Sequence, residues 1–272
     1  LVVSGAHVQT LVNRAVVPVL DPESGIADED LQAVRRLARH YPLPADRKRL
    51  HALDQYYYLD DTEPSVHPEG IEALRLTHDM LLFHVSAAKV RTAVRVVREM
   101  GTMNVCDMAF GGWCSALAVT TPAQRESGVL VLDLGAGTSD YFVFMNGLAV
   151  AAGTLGVGGD HVANDVREAF DLPFRQAEAL VRAQGTLEKP PDSAPPHRLP
   201  PEDAFPGATI DARSLQAVLH ARLRETLGIL RDRINLALGG PMRHGELILT
   251  GGGSRLRGIH QLAGAVWGRP FS

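Results

Sequence analysis

The sequence predicts an α/β fold spread over two domains, with a small α+β module at the front of the chain. Three observations lead there. A short apolar run, Val129 to Leu134, passes through a glycine-rich turn into a second apolar segment. A later apolar segment, Glu246 to Thr250, runs directly into three glycines. Ahead of both, residues 1–85 alternate strand-like runs with one amphipathic helix. A chain of 272 residues is long enough for two domains of ordinary size.

From Leu1 to about Val19 the pattern is short β segments. Asp28 is placed to cap a helix carrying Leu31, Val34 and Leu37 on one face, and Tyr41-Pro42-Leu43-Pro44 stops it. His51 to Leu59 and Leu74 to Val85 read as strands, with the turn-rich stretch Asp60 to Gly70 between them. Ser86 can cap the next helix, with Val90, Val94 and Val97 as its stripe and Gly101 as its stop. Ala109 to Val119 is small and apolar, as in a buried helix.

Val129 to Leu134 then reads as a central strand. Tyr141 to Met145 and Leu148 to Leu155 form a hairpin across Asn146-Gly147. Asp160 is placed to cap a helix with Val162, Val166 and Phe170. Lys189 to Pro206 holds seven prolines, which excludes helix and central strand and predicts a mobile surface loop. Asp211 opens the longest helix, with Leu215, Val218, Leu219, Leu223, Leu227, Leu230 and Ile234 at helical spacing, and Gly239-Gly240-Pro241 ends it. Glu246 to Thr250 is a strand, and a final helix follows Gly258. No internal repeat is present.

Composition narrows the class. Hydrophobic residues make up 45% and charged residues 21%, the profile of a globular protein in water. The formal net charge of −4, without a basic run, argues against a nucleic-acid partner. Cys106 and Cys114 form no CxxC pair and read as two free buried thiols. The eleven histidines are scattered and none reads as a metal ligand. Trp113 and Trp267 read as packing residues. No stretch approaches the roughly 18 apolar residues of a membrane span, and no signal peptide is visible. The chain opens on Leu1-Val2-Val3, already strand-like, and stops at Trp267-Gly268-Arg269-Pro270-Phe271-Ser272, which reads as a fragment of a longer protein.

Two motifs carry chemistry. The first is Asp133-Leu134-Gly135-Ala136-Gly137-Thr138-Ser139-Asp140. A tight turn of this kind aims successive backbone N–H groups into one concavity, where glycines let a phosphate approach closely. Thr138 can add a hydroxyl, and an Asp at the strand end can hold a Mg²⁺-bound water. The alternative is an ordinary hairpin with a glycine-rich turn. The second motif is Leu249-Thr250-Gly251-Gly252-Gly253-Ser254-Arg255-Leu256. Close approach of backbone to a flat ligand is one reason for three glycines at a strand end, and Arg255 could stack on a base. The alternative is a plain strand-to-helix turn with a solvated Arg. No Lys follows the glycines, so this is not a GxxxxGK[ST] loop.

The two motifs lie about 115 residues apart, in the order hairpin, helices, glycine strand-end. In that arrangement the chain resembles the actin/Hsp70 superfamily, with its ribonuclease-H-like, two-lobed nucleotide-binding fold. The resemblance implies that Gly135, Ala136, Gly137 and Thr138 touch phosphates and that Asp133 holds the metal water. It further implies that Gly252, Gly253, Ser254 and Arg255 hold the α-phosphate, ribose and adenine.

Other segments resemble the cell-division family FtsA. One is Gly156-Val157-Gly158-Gly159-Asp160-His161-Val162-Ala163-Asn164-Asp165-Val166, which places Gly159 at the nucleotide. Another is His220-Ala221-Arg222-Leu223-Arg224-Glu225, where Arg222 and Glu225 would lie beside the ribose. A solvated ion pair three residues apart is the alternative for those two. The N-terminal module, with Leu50-His51-Ala52-Leu53 and the Asp60-Asp61 turn, resembles the 1C (SHS2-like) subdomain found in FtsA and its pilus relative PilM.

By this likeness residues 1–85 are mainly 1C, 86–126 the rest of the first lobe (1A), and 127–160 the second lobe (2A) with its phosphate hairpin. Residues 161–240 are then subdomain 2B, and 241–272 return to 2A. The family likeness implies ATP and Mg²⁺ as ligands, and a role anchoring the FtsZ ring to the cytoplasmic membrane at the division site. The FtsZ C-terminal peptide would dock between about His161 and Gly240. Filaments or dimers would form by self-association, and other divisome proteins would bind through 1C. Membrane contact would run through a C-terminal amphipathic helix that residues 1–272 do not contain.

The sequence departs from that pattern in two places. The superfamily's first phosphate loop would precede Leu1. The Glu-Pro that usually opens the helix before the phosphate hairpin is replaced by Gly111-Gly112, so the resemblance implies nucleotide binding with at most weak hydrolysis. The alternative within the superfamily is a PilM-type scaffold of a type IV pilus machine. A small-molecule kinase on this fold would need a carboxylate base, and no candidate stands out.

Overall fold

Residues 1–62, 64–101, 103–198 and 209–272 are described by the computed structural model. They divide into two units, Leu1–Val129 with Phe142–Thr154, and Leu130–Tyr141 with Leu155–Ser272. In chain order the elements are β1 (Val2–Val3), β2 (Gln9–Pro18), α1 (Asp28–Arg39), β3 (Arg47–Leu59), β4 (Pro64–Ser65), β5 (Arg75–Ser86) and α2 (Ala87–Met100). There follow β6 (Ala109–Phe110), α3 (Gly111–Val119), α4 (Pro122–Ser127), β7 (Val129–Leu134), β8 (Ser139–Met145), β9 (Leu148–Leu155), α5 (Gly159–Phe170) and α6 (Phe174–Gln184). The chain closes with β10 (His197–Arg198), β11 (Thr209–Ile210), α7 (Ala212–Leu238), β12 (Glu246–Thr250), a 3-10 turn at Gly252–Arg255 and α8 (Ile259–Trp267).

The first unit is organised by an antiparallel sheet in the order β2-β5-β3-β4. β5 is the central strand and is buried along almost its whole length. That fits a strand covered on both faces, which therefore reads as continuous hydrophobicity and not as alternation. On one face α1 packs Leu31, Val34 and Ala38 against Ala15, Tyr57, Leu76, Met80 and Leu82. The Asn13 amide donates to Ala38 O at 2.7 Å and satisfies one of the helix's terminal carbonyls. On the other face Gln55 Nε2 donates to Ala149 O (2.8 Å) and Val150 O (2.9 Å), and Thr10 Oγ1 donates to Ala152 O (2.7 Å). His51 stands edge-on to Trp113 with ring centres 4.7 Å apart, so this Trp is the packing residue expected.

Several local expectations shift in this unit. Asp28 is the first residue of α1 and Ala27 is its cap. The capping acid is the buried Asp30, whose carboxylate accepts from Ala27 N and Leu20 N, both at 3.1 Å. Leu37 is exposed and Ala38 takes the core position, because residues 31, 34 and 38 lie on one helical face. On α2 only Val90 is buried, although Ser86 caps the helix as expected. In α3, Leu117 and Val119 are exposed, so the apolar run is buried on one side only. Both cysteines are free as expected, but Cys106 is exposed and Cys114 half-buried, not buried.

In the second unit β12 lies beside β7, and β7 beside β8. The helix α5 is capped by Gly158, not by Asp160; its N–H donates to His161 Nδ1 at 3.2 Å. α7 matches its expected bounds. Asp211 Oδ2 accepts from Ser214 N at 2.8 Å, Gly239 closes the helix at φ +70°, and Leu215, Leu219, Leu227, Leu230 and Ile234 are buried. Val218 and Leu223 border that stripe and are half-buried. α6 has no counterpart in the sequence reading, because Pro173 opens it with no Ser, Thr, Asp or Asn cap to announce it. Trp267 packs edge-on to Phe271 at 5.2 Å between ring centres. Within the proline-rich stretch, His197–Arg198 pairs with Thr209–Ile210 as a two-residue ladder. The remainder of that expected loop, 199–206, lies outside the described residues.

Candidate functional site

The turn between β7 and β8 closes on itself: Gly135 N–H donates to Thr138 O at 2.9 Å. Ala136 and Gly137 stand exposed at its tip, and Thr138 is half-buried. Below the tip, Ser139 is buried and its Oγ donates to Val157 O at 2.8 Å, which fixes the loop leading into α5. The start of α5 then meets the turn directly. Gly159 N–H donates to Gly135 O at 3.0 Å, and Asp160 N–H donates to Ala136 O at 2.8 Å. Two of the helix's unpaired N–H groups are thereby satisfied. This approach leaves no room for a side chain at Gly158, where a Cβ would lie 2.6 Å from Gly135 O. Gly159 itself is committed to holding the turn.

The glycine strand-end packs on the same turn. β12 ends at Thr250, and Gly251 takes φ +83°, a conformation that suits only glycine at its ψ of 176°. A Cβ there would overlap Asp133 Oδ1 and sit 2.7 Å from Leu134 O. At Gly253 a Cβ would come within 2.8 Å of Leu134 Cβ. These two glycines are therefore explained by contact with the end of β7. Gly252 and Gly137 are different: a Cβ at either would meet nothing within 4 Å. No internal packing requires glycine at these two positions, and both face open space. Ser254 turns inward, its Oγ donating to Gly251 O at 2.8 Å, and Arg255 is exposed at the end of the 3-10 turn.

Arg222 is engaged twice. Its Nε and Nη2 donate to the two oxygens of Asp165 at 2.5 and 2.9 Å, and its Nη1 donates to Glu225 Oε2 at 2.7 Å. The fork ties α7 to α5, and the hydrogen bond to Asp165 raises the Arg222 pKa above its ordinary value, in spite of some burial. Asp165 has no assigned role in the sequence reading. The visible signal for it is its place in the Gly156–Val166 segment.

The structure thus gathers Asp133, Gly135, Ala136, Gly137, Thr138, Gly159, Gly251, Gly252 and Gly253 on one surface of the second unit. It leaves Arg222 and Glu225 in an ion-pair network of their own. No group of three or more His, Cys, Asp or Glu side chains that could cage a metal occurs among the described residues. The donor set fits Mg²⁺ only in the mode where one carboxylate and ligand phosphates hold an otherwise hydrated ion. Asp133 lies near the end of β7.

Comparison with known proteins gives two family matches. Residues 130–272 match the model described as Cell division protein FtsA, and residues 5–84 match the SHS2 domain inserted in FTSA. The chain is 26% identical over 269 residues to the cell division protein FtsA of Pseudomonas aeruginosa. That alignment covers 98% of this chain and 64% of the relative's length. Among solved structures it resembles the PilM-PilN type IV pilus biogenesis complex, with TM-score 0.60, 17% identity and coverage of 96% of this chain and 65% of the other. It also resembles MreB5 of Spiroplasma citri bound to AMPPNP, with TM-score 0.54, 21% identity and coverage of 69% and 60%. These structural likenesses show the fold, which is the actin-like α/β fold with an SHS2 module expected from the motifs. The likeness to PilM is one of fold alone and does not favour the pilus alternative.

Proposed function

The chain belongs to the FtsA family of cell division proteins, and from that premise we propose that it binds ATP with Mg²⁺ and works as a nucleotide-responsive anchor of the FtsZ ring. The observation that carries the nucleotide reading is the contrast among its glycines. Gly135, Gly251 and Gly253 are tied up by backbone contacts, whereas Gly137 and Gly252 have open space where a side chain would go. A phosphate chain over the Ala136-Gly137-Thr138 tip and a nucleoside against Gly252, Ser254 and Arg255 would use that space. Asp133 is the carboxylate that would hold Mg²⁺ through water, and the ion would supply positive charge against the ATP phosphates. Arg222 and Glu225, preset by Asp165, are the polar groups proposed for the ribose. The MreB5 relative bound to AMPPNP supports a nucleotide on this fold.

Turnover is expected to be weak. α3 begins on Gly111, where a Cβ would overlap Ser4 Oγ, so a glutamate at that position would require the Ser4 side chain to turn away. ATP then acts as an assembly switch: a ligand that prefers one conformation raises that conformation's population. On this reading 161–240 docks the FtsZ C-terminal peptide, 1–85 recruits other divisome proteins, and copies of the chain associate into filaments or dimers. The further divisions 86–126, 127–160 and 241–272 belong to the same proposal, as does a position on the inner face of the membrane at the division site. No helix among the described residues is long and apolar enough to cross a membrane, which is consistent with peripheral attachment.

Two measurements test this. ATP with Mg²⁺ should raise the thermal midpoint, because a ligand bound only to the folded state stabilises it by about 2.7 kcal/mol at a hundredfold excess over Kd. A peptide of the FtsZ C-terminus should bind more tightly in the presence of ATP. Absence of any nucleotide-dependent stabilisation would count against the first claim, and an unbound FtsZ peptide against the second.

A further inference from the structure

Three arginines of the SHS2 module are balanced by acids. Arg14 bonds Asp79 through two contacts of 2.7 Å, Arg35 lies 3.8 Å from Asp54, and Arg75 is paired with Asp61. At the start of β3 that balance fails. Arg47 and Arg49 sit two residues apart on one face of the strand, across from Ser86 and His84 of β5. Gln9 of β2 lies beyond His84. Among the described residues neither Arg47, Arg49 nor Lys89 takes part in an ion pair. The nearest acid in sequence, Asp46, is exposed and makes no ion pair either. Lys48 adds a further cation on the opposite face of the strand.

Arg47 is held in place by the two histidines. Arg47 Nε donates to His84 Nδ1 at 2.8 Å, and its Nη2 donates to His7 O (2.9 Å) and His84 O (3.1 Å). Accepting at Nδ1 fixes His84, which is more than nine-tenths buried, as the neutral tautomer with its proton on Nε2. Two nitrogens of the cluster, Arg49 Nε and His7 Nε2, are buried with no hydrogen-bond partner. Buried polar nitrogens without a partner are costly, and a native structure normally supplies them with one. Burial, followed by Arg47 and Lys89, holds His7 below the usual histidine range. Burial and then Arg47 do the same for His84.

We propose that this end of the sheet is a binding site for a phosphate group, formed by Arg47, Arg49, His84, His7 and Lys89. Two guanidinium groups, an imidazole N–H and an ammonium match a ligand that carries several acceptor oxygens and no donors. The site belongs to the first unit and shares no residue with the nucleotide site proposed above. A bound phosphate brings negative charge beside His7 and His84, so both should titrate at higher pH when it is present.

The test is histidine-detected NMR of the chain during titration with inorganic phosphate, against sodium chloride at matched ionic strength. Saturable shifts of the His7 and His84 ring signals with phosphate, together with a rise in their apparent pKa, are expected. Arg49→Gln and Lys89→Gln should each weaken the binding about tenfold, the worth of one charge-assisted hydrogen bond. Gly252→Ala, which fills the open space at the other site, should leave this titration unchanged. Equal shifts with phosphate and chloride, or variants that bind as the parent does, would overturn the proposal. So would saturation by a hexaglutamate peptide at lower concentration than phosphate, since it would reassign the site to an acidic chain.

Discussion

Two neighbouring glycines should respond in opposite ways to the same added methyl group. Gly251→Ala forces a Cβ onto Asp133 Oδ1 and to 2.7 Å from Leu134 O, in a backbone conformation that alanine rarely adopts. The backbone strain is worth about 1–3 kcal/mol. The overlap with the end of β7, which cannot yield without moving the central strand, adds about 1–3 kcal/mol. Lower entropy of the unfolded chain returns about 0.4–1 kcal/mol. The net loss is roughly 1–6 kcal/mol, or about 2–22 °C in the thermal midpoint. Gly252→Ala meets nothing within 4 Å and carries no positive φ, so the unfolded-state term stands alone and stability should hold or rise slightly. Its cost falls on the ligand, because the methyl group occupies the space assigned to the nucleotide. Thermal unfolding followed by circular dichroism, with and without ATP and Mg²⁺, separates the two effects. A Gly252→Ala variant that keeps the full ATP-dependent shift would refute the placement of the ligand. A Gly251→Ala variant as stable as the parent would refute the packing argument.

Asp165→Asn should cost about 1–3 kcal/mol, because it leaves the partly buried Arg222 without its charged two-pronged partner. Glu225→Gln, at a position whose side chain is 57% exposed, should cost under about 1 kcal/mol; urea midpoints for both variants check the ordering. Gly111→Glu should destabilise the first unit by at most about 1 kcal/mol, because the exposed Ser4 hydroxyl it meets can turn away, and Ser4→Gly should remove that loss in the same urea assay. Stability should also fall with acid. His51 Nε2 accepts the Phe110 N–H at 2.9 Å and needs to be neutral, and burial is the main cause holding its pKa below the usual value. The unfolded chain therefore takes up protons near pH 6.5 before the folded one does, and stability present above that pH is lost as pH falls through it. Urea midpoints from pH 7.5 to 5.5 should decline, and His51→Gln should flatten part of the slope.

Fold and site were legible in the sequence to different depths, and the difference has a physical cause. The elements read well were those whose signal is local. Asn146-Gly147 takes positive φ at both positions, as the tight hairpin demands, and α7 carries its own cap, stripe and stop within one stretch of chain. α6 was missed because Pro173 gives no capping side chain, and α1 was capped by the third residue of the helix instead of the residue before it. The site divides along the same line. Its glycines stood out as a group, yet a glycine needed for ligand approach and one needed for protein packing look identical in a sequence. Only the distance to Leu134 distinguishes Gly251 and Gly253 from Gly252. Arg222 posed the same problem in reverse: its partner three residues on was visible, whereas Asp165, 57 residues away, holds it more firmly. Long-range partners decide both cases, and they also decide what the SHS2 module leaves unpaired. Arg14 and Arg47 are equivalent letters in the sequence, and only the register that sets Asp79 opposite one and Ser86 opposite the other, with His84 within reach, makes the first an ion pair and leaves the second bonded to neutral acceptors.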